Sequence, residues 1–168
     1  MRVAAMNLSR KAKRYDDAIL PGDFQDFESF RDGDPMLDGM LHGAIRRNGA
    51  FVELGELFLD WFSPRKQSFA KLKGRAEQLR RQVTYLKEHL EIVDHDRRAM
   101  YIQLRSLPPY KDDTQIQFNE ICIGKDRVEV KRIAFYRRDE VKQQVALNLS
   151  EQTLERLVSD IRQALDPV

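Results

Sequence analysis

Between Phe69 and Leu107, apolar or small residues recur at intervals that alternate three and four: Phe69, Leu72, Ala76, Leu79, Val83, Leu86, Leu90, Val93, Met100, Leu104 and Leu107, interrupted only by Arg97. This is the period of a helix that packs lengthwise against another helix. It predicts a helix over 65–107. Ser63-Pro64 supplies an N-cap and first-turn proline, and Pro108-Pro109 ends the helix because neither ring lets it continue. A helix of about 40 residues is about 60 Å long at about 1.5 Å per residue. That is too long for a compact domain of a 168-residue chain, so part of the seam is expected to meet a second copy. The expected association surface is Leu79, Val83, Leu86, Leu90, Val93, Arg97, Met100 and Leu104, with Arg97 fixing register at a core position.

The flanks complete an α+β expectation. Residues 1–34 read as a flexible charged arm, with five basic and two acidic side chains in 1–18 and six acidic and one basic in 19–40. "PMLDGMLHGAIRRNG" places Met36, Leu37, Met40, Leu41, Ala44 and Ile45 on one helical face. "AFVELGELFLDWF" puts Phe51, Leu54, Leu57, Phe58, Trp61 and Phe62 at helical spacing, so 35–107 reads as a helical region of two short helices and one long one. From residue 114 the period falls to about 2. A three-stranded antiparallel meander is expected, with a turn at Gly124-Lys125 that needs positive φ at its first position. That turn sets Ile121 opposite Val128 and Ile116 opposite Ile133, and the third strand runs through Val141, Val145, Leu147 and Leu149. Ser150 then caps a helix striped by Leu154, Leu157, Val158, Ile161 and Leu165, so 114–168 forms a sheet-and-helix unit.

No residue pattern names a reaction. "KEHLEIVDHDRR", residues 87–98, holds two histidines and four carboxylates, but His89 and His95 stand six apart rather than at the i,i+4 spacing of a helical zinc site. On the heptad they lie outward, with His89 facing Asp94 of a parallel mate. Cys122 alternates with apolar residues on a strand and reads as buried rather than nucleophilic. There is no phosphate-binding glycine loop, no HExxH and no GxSxG. The expectation is a non-catalytic protein without cofactor or metal. No run approaches 18 apolar residues, no apolar stretch follows the N-terminal charges, and one cysteine makes no internal disulfide. A cytoplasmic protein without a membrane span is expected.

The net charge of +2 gives no overall pull toward polyanions, but two runs are locally basic. "RKQSFAKLKGRAEQLRR" carries seven cations against Glu77, with Arg65, Lys66, Lys73, Arg80 and Arg81 as candidate phosphate contacts. "KRIAFYRRDEVK" sets Lys131, Arg132, Arg137, Arg138 and Lys142 around Phe135 and Tyr136, the mixture that single-strand binding uses. The run Val128–Leu165, with its strand "VEVKRIAFY", basic turn, strand ending "VALNLS" and helix "EQTLERLVSDIRQAL", resembles the sheet-then-helix module of single-stranded-DNA-binding transcriptional coactivators and, more loosely, of Whirly proteins. That resemblance implies nucleic-acid binding by the sheet. The leading expectation is an oligomeric assembly protein that self-associates through the coil and presents its sheet-and-helix head, or its charged N-terminal arm, to a macromolecular partner such as another protein. Nucleic-acid binding through the basic residues is the alternative.

Overall fold

The computed structural model describes residues 19–62 and 67–165. The strands in chain order are β1 (Ile19–Leu20), β2 (Glu28–Asp34), β3 (Gly39–Asn48), β4 (Phe51–Asp60), β5 (Leu90–Asp96), β6 (Tyr101–Ser106), β7 (Tyr110–Lys111), β8 (Gln115–Gly124), β9 (Arg127–Tyr136), β10 (Val141–Val145) and β11 (Leu147–Ser150). Among the described residues two helices join them, α1 (Phe69–Gln82) between β4 and β5, and α2 (Glu151–Ala164) after β11. All eleven strands belong to one sheet with the main order β2-β3-β4-β9-β8-β6-β5. Pairing is antiparallel except where β1 runs beside β10.

The expected α+β fold with a coiled coil is therefore corrected to a mainly β fold. Residues 35–62 form no helices; they hold β3 and β4, two ten-residue strands. The reason lies in a β-bulge. Ala44 pairs with Glu56 and Ile45 with Leu54, leaving Gly55 as the extra residue. Val52, Leu54, Leu57 and Leu59 therefore all face the core, and the three-residue step across the bulge reads in sequence like a helical one. Phe24 lies over Gly55, where a Cβ would come within 2.9 Å of its ring.

The long helix is corrected likewise. Helix α1 begins where Ser68 Oγ accepts from Lys71 N, and it ends after Gln82. Residues 83–89 turn the chain back, and β5 and β6 follow. A second bulge lies at Val93, between the Ile92–Leu104 and Asp94–Gln103 pairs, and leaves Val93 exposed, so the Leu90–Val93 step of the apparent heptad joins a core residue to a surface one. The turn is held by buried polar groups. Asn119 Nδ2 donates to Leu86 O at 3.2 Å, and Arg132 spans Glu88 (3.1 Å), Asn119 (2.7 Å) and Gln117 (2.8 Å). Ser106 Oγ donates to Glu88 at 3.0 Å, so the carboxylate and the guanidinium are both satisfied.

The seam residues supply the interior of one chain. Leu79, Val83, Leu86, Leu90 and Leu104 are at most 1% exposed and pack with Leu72, Ala76, Ile102, Ile121, Val128 and Val130 in one core. Met100 packs against that core, Val93 is exposed at its bulge, and Arg97 is exposed on the β5–β6 turn. Both helices lie on this face of the sheet, α1 over β5, β6 and β8 and α2 over β4 and β11.

The C-terminal part follows the sequence pattern more closely. β8, β9 and β10 form an antiparallel run, and Ser150 Oγ caps α2 by accepting from Thr153 N at 3.1 Å. The hairpin turn is Lys125-Asp126, and Gly124 does not have positive φ. Pairing shifts by two, setting Ile121 against Val130 and Ile116 against Phe135; an even shift leaves every side chain on its expected face. The last strand is broken at Ala146, with β10 pairing β9 and β11 pairing β4. Of the expected arm, 19–34 contributes β1 and β2, while 1–18 lies outside the described residues.

Candidate functional site

Three chain segments converge at one end of the sheet: the β2–β3 turn, the end of β4 and the tip of the β8–β9 hairpin. Asp34 Oδ1 accepts from Met36 N at 2.9 Å and sets the turn, as Asp before Pro commonly does. Phe62 N donates to Pro35 O at 2.6 Å and Trp61 N to Asp126 O at 3.1 Å, which ties the three together. Between them lies a cleft of about 500 Å³ lined by Pro35, Asp60, Trp61, Phe62, Asp126 and Arg127. Its volume falls within the range of sites that hold a ligand or an anchoring side chain.

The floor is preorganised. Asp60 accepts from Arg127 Nε at 2.5 Å and Nη2 at 2.9 Å, and its second oxygen also meets His42 Nε2 at 2.7 Å. Phe58 is stacked against His42 at 5.0 Å, and the Arg127 guanidinium lies 4.8 Å from the Phe58 ring centroid. The side-chain hydrogen bond from Arg127 holds the Asp60 carboxyl below its ordinary pKa against the cost of partial burial, and His42 adds to the effect. A fork-shaped cation bound by two parallel bonds and resting on a ring has little freedom left.

Around this floor the surface is apolar and acidic. Leu37 is 83% exposed, Met36 65% and Phe62 56%. Asp32, Asp34 and Asp38 stand at the β2–β3 turn, whereas Asp26 and Glu53 pair with Arg46 at 2.6 Å toward the other end of β3 and β4. Asp32 and Asp38 share Arg162 of α2 at 3.6 and 3.4 Å, and Asp126 stands at the cleft itself. Large apolar side chains exposed together around a concavity, with charge at the rim, are the chemistry of an interface. Among the described residues no group of three or more His, Cys, Asp or Glu side chains is placed to hold a metal ion.

The sequence-derived candidates lie elsewhere. Arg65 and Lys66 are outside the described residues. Lys73 and Arg81 are exposed on α1, and Arg80 is paired with Glu77 at 2.9 Å. Lys131 joins a cross-strand row of alternating charge with Glu120, Arg105 and Glu91, and also bonds Glu129 at 2.9 Å. Arg132 points to the opposite face and is buried in the network under the 83–89 turn. Arg137, Arg138 and Lys142 flank the β9–β10 turn, where Arg137 Nε donates to Asp112 O at 3.1 Å. The basic residues thus do not converge on one patch around Phe135 and Tyr136. His89 meets Glu91 of its own chain at 3.3 Å, and His95 packs on Phe69 at 5.6 Å.

The chain matches no family model, no curated protein and no solved structure. The cleft therefore rests on its own geometry. His42, Asp60, Trp61, Phe62 and Arg127 carry no shared signal in the sequence, because they come from segments 18 to 85 residues from His42 that only the sheet register brings together. One signal was present. Asp34-Pro35 is a turn initiator, and two apolar residues directly after it stand on a turn, not a helix face.

Proposed function

We propose that this is a non-catalytic interaction protein whose cleft takes an apolar side chain of a partner polypeptide, with lysine or arginine flanking it in the partner. The observation that carries this reading is the exposure of Phe62 in a cleft with an organised floor, and of Met36 and Leu37 on the turn that follows its Pro35, next to Asp34, Asp38 and Asp126. Apolar side chains entering such a cleft supply the affinity, and the acidic rim selects a basic neighbour. A symmetric pair of copies joined here would set acidic rim against acidic rim, so a different chain is the better fit than a second copy. The lone cysteine agrees with a reducing compartment such as the cytoplasm. Among the described residues no helix is long and apolar enough to cross a membrane.

A random peptide library displayed on phage tests the reading. Selection on the wild-type chain should enrich sequences with one large apolar residue next to Lys or Arg, and the combined Leu37→Glu and Phe62→Glu variant should lose them by at least tenfold. Enrichment of nothing, or of peptides that bind the double variant equally, would contradict it. A doubled mass in light scattering that the double variant abolishes would instead assign the surface to a second copy.

A further inference from the structure

The β5–β6 side of the sheet, with α1 packed on it, carries a surface of different chemistry. Leu72, Ala76 and Leu79 on the inner side of α1 are fully buried, whereas Lys71, Lys73, Gly74 and Arg81 are exposed. Lys87 extends this surface after the helix, and the β5–β6 turn brings Arg97 and Arg98 to its N-terminal end, where the Arg97 guanidinium lies 5.2 Å from the Phe69 ring centroid. The neighbouring carboxylates are engaged. Glu77 holds Arg80 at 2.9 Å, Glu88 holds Arg132 at 3.1 Å, and Glu91 lies 3.3 Å from His89 and 3.9 Å from Arg80. Asp94 and Asp96 accept from backbone amides of their own turn and keep their charge beside Arg97 and Arg98, so the surplus of cations rests on Lys71, Lys73, Arg81 and Lys87. Lys71, Lys73, Arg81, Lys87 and Arg98 form no ion pair among the described residues.

Gly74 is the second observation. It sits in mid-helix without positive φ, and a Cβ there would meet nothing within 4 Å. A glycine in a helix interior costs about 1 kcal/mol relative to alanine, and neither a turn nor crowding within the chain accounts for it. It leaves the outer surface of the helix without a side chain between Lys73 and Arg81 in sequence. No large apolar side chain is exposed on α1, so nothing there would enter a bilayer. Phe69, the aromatic residue of α1, is partly buried beneath Arg97 and His95 and offers no free ring on which an unpaired base could stack. Spaced cations without apolar or stacking groups match a regular anionic backbone.

We propose that α1, with Lys87 and the Arg97–Arg98 turn, binds the phosphate backbone of double-stranded nucleic acid without reading its bases. This surface shares no element with the cleft and does not depend on what the cleft binds. The test is fluorescence anisotropy of a fluorescein-labelled DNA duplex of random sequence, about 20 base pairs long, at about 50 mM salt. Wild-type binding should weaken with salt at a log–log slope of about −4, as expected when about four phosphates are neutralised. The combined Lys73→Glu, Arg81→Glu and Arg98→Glu variant, folded by circular dichroism, should bind at least tenfold more weakly, while Leu37→Glu should bind like wild type. Absence of wild-type binding, equal binding by the triple variant, or tighter binding to a single-stranded oligonucleotide or to phosphatidylserine vesicles would overturn the proposal.

Discussion

At the scale of single residues, environment sets the chemistry of groups that look reactive in sequence. Burial pushes the Cys122 thiol up to about 12, with the Glu120 charge adding to it and a hydrogen bond from the Tyr101 hydroxyl opposing it. A thiol with that pKa has about three orders of magnitude less thiolate at neutral pH than a free one. Alkylation of the native chain by iodoacetamide should be slower by that order and recover in denaturant; a native rate near that of free cysteine would show the side chain to be accessible. Cys122 stands on β8, as its alternation with Ile121 and Ile123 predicts, but it is half-buried rather than fully buried. Asp60 is the opposite case. Its folded pKa is lowered, so its contribution is fully present above the unfolded carboxyl value and is lost as pH falls through the folded one. Asp60→Asn should cost about 1 kcal/mol at neutral pH. The loss should vanish in acid, and denaturant melts across pH would show whether it does.

At the scale of elements, β-bulges account for part of the difference between pattern and structure. Across Gly55 the core-facing step from Leu54 to Leu57 becomes three, and at Val93 the added residue is exposed although it falls in the apparent heptad. Within 69–107, the true helix α1 supplies the first heptads and the strands after it continue the spacing by chance. The contrary signals were local: Val83-Thr84-Tyr85 and Ile92-Val93 are β-branched and aromatic clusters ill suited to a helix interior. Where no bulge intervenes, as in β8 and β9, or where a cap is explicit, as at Ser150, pattern and structure coincide. Replacing Leu86 and Leu90 together with glutamate distinguishes seam from core. Both are at most 1% exposed, so the double variant should lose its near-ultraviolet circular dichroism and unfold. A folded variant whose only change is a lower mass in light scattering would restore the seam. Gly74→Ala should stabilise the chain by about 1 kcal/mol in denaturant melts, since the helix gains propensity and the Cβ meets open space.

At the scale of the molecule, one sheet sets two unlike surfaces toward its two edges. The β2–β4 side has exposed apolar side chains beside Asp32, Asp34 and Asp38, and the α1 side has exposed cations without them. The whole-chain charge of +2 conceals this because opposite excesses nearly cancel. The edge strands β2 and β5 carry charged side chains, which oppose edge-to-edge growth of the sheet and leave these two surfaces for recognition. The cleft could not be read from the sequence, because its residues share neither a motif nor a local period.

Trp61 is the single tryptophan of the chain and lines the cleft, so its fluorescence reports occupancy directly. Titration with a peptide selected on the wild-type chain should shift Trp61 emission to shorter wavelength and saturate at the peptide's binding constant. Saturable binding of that peptide with Trp61 emission unchanged would contradict the assignment of the cleft as the interaction site.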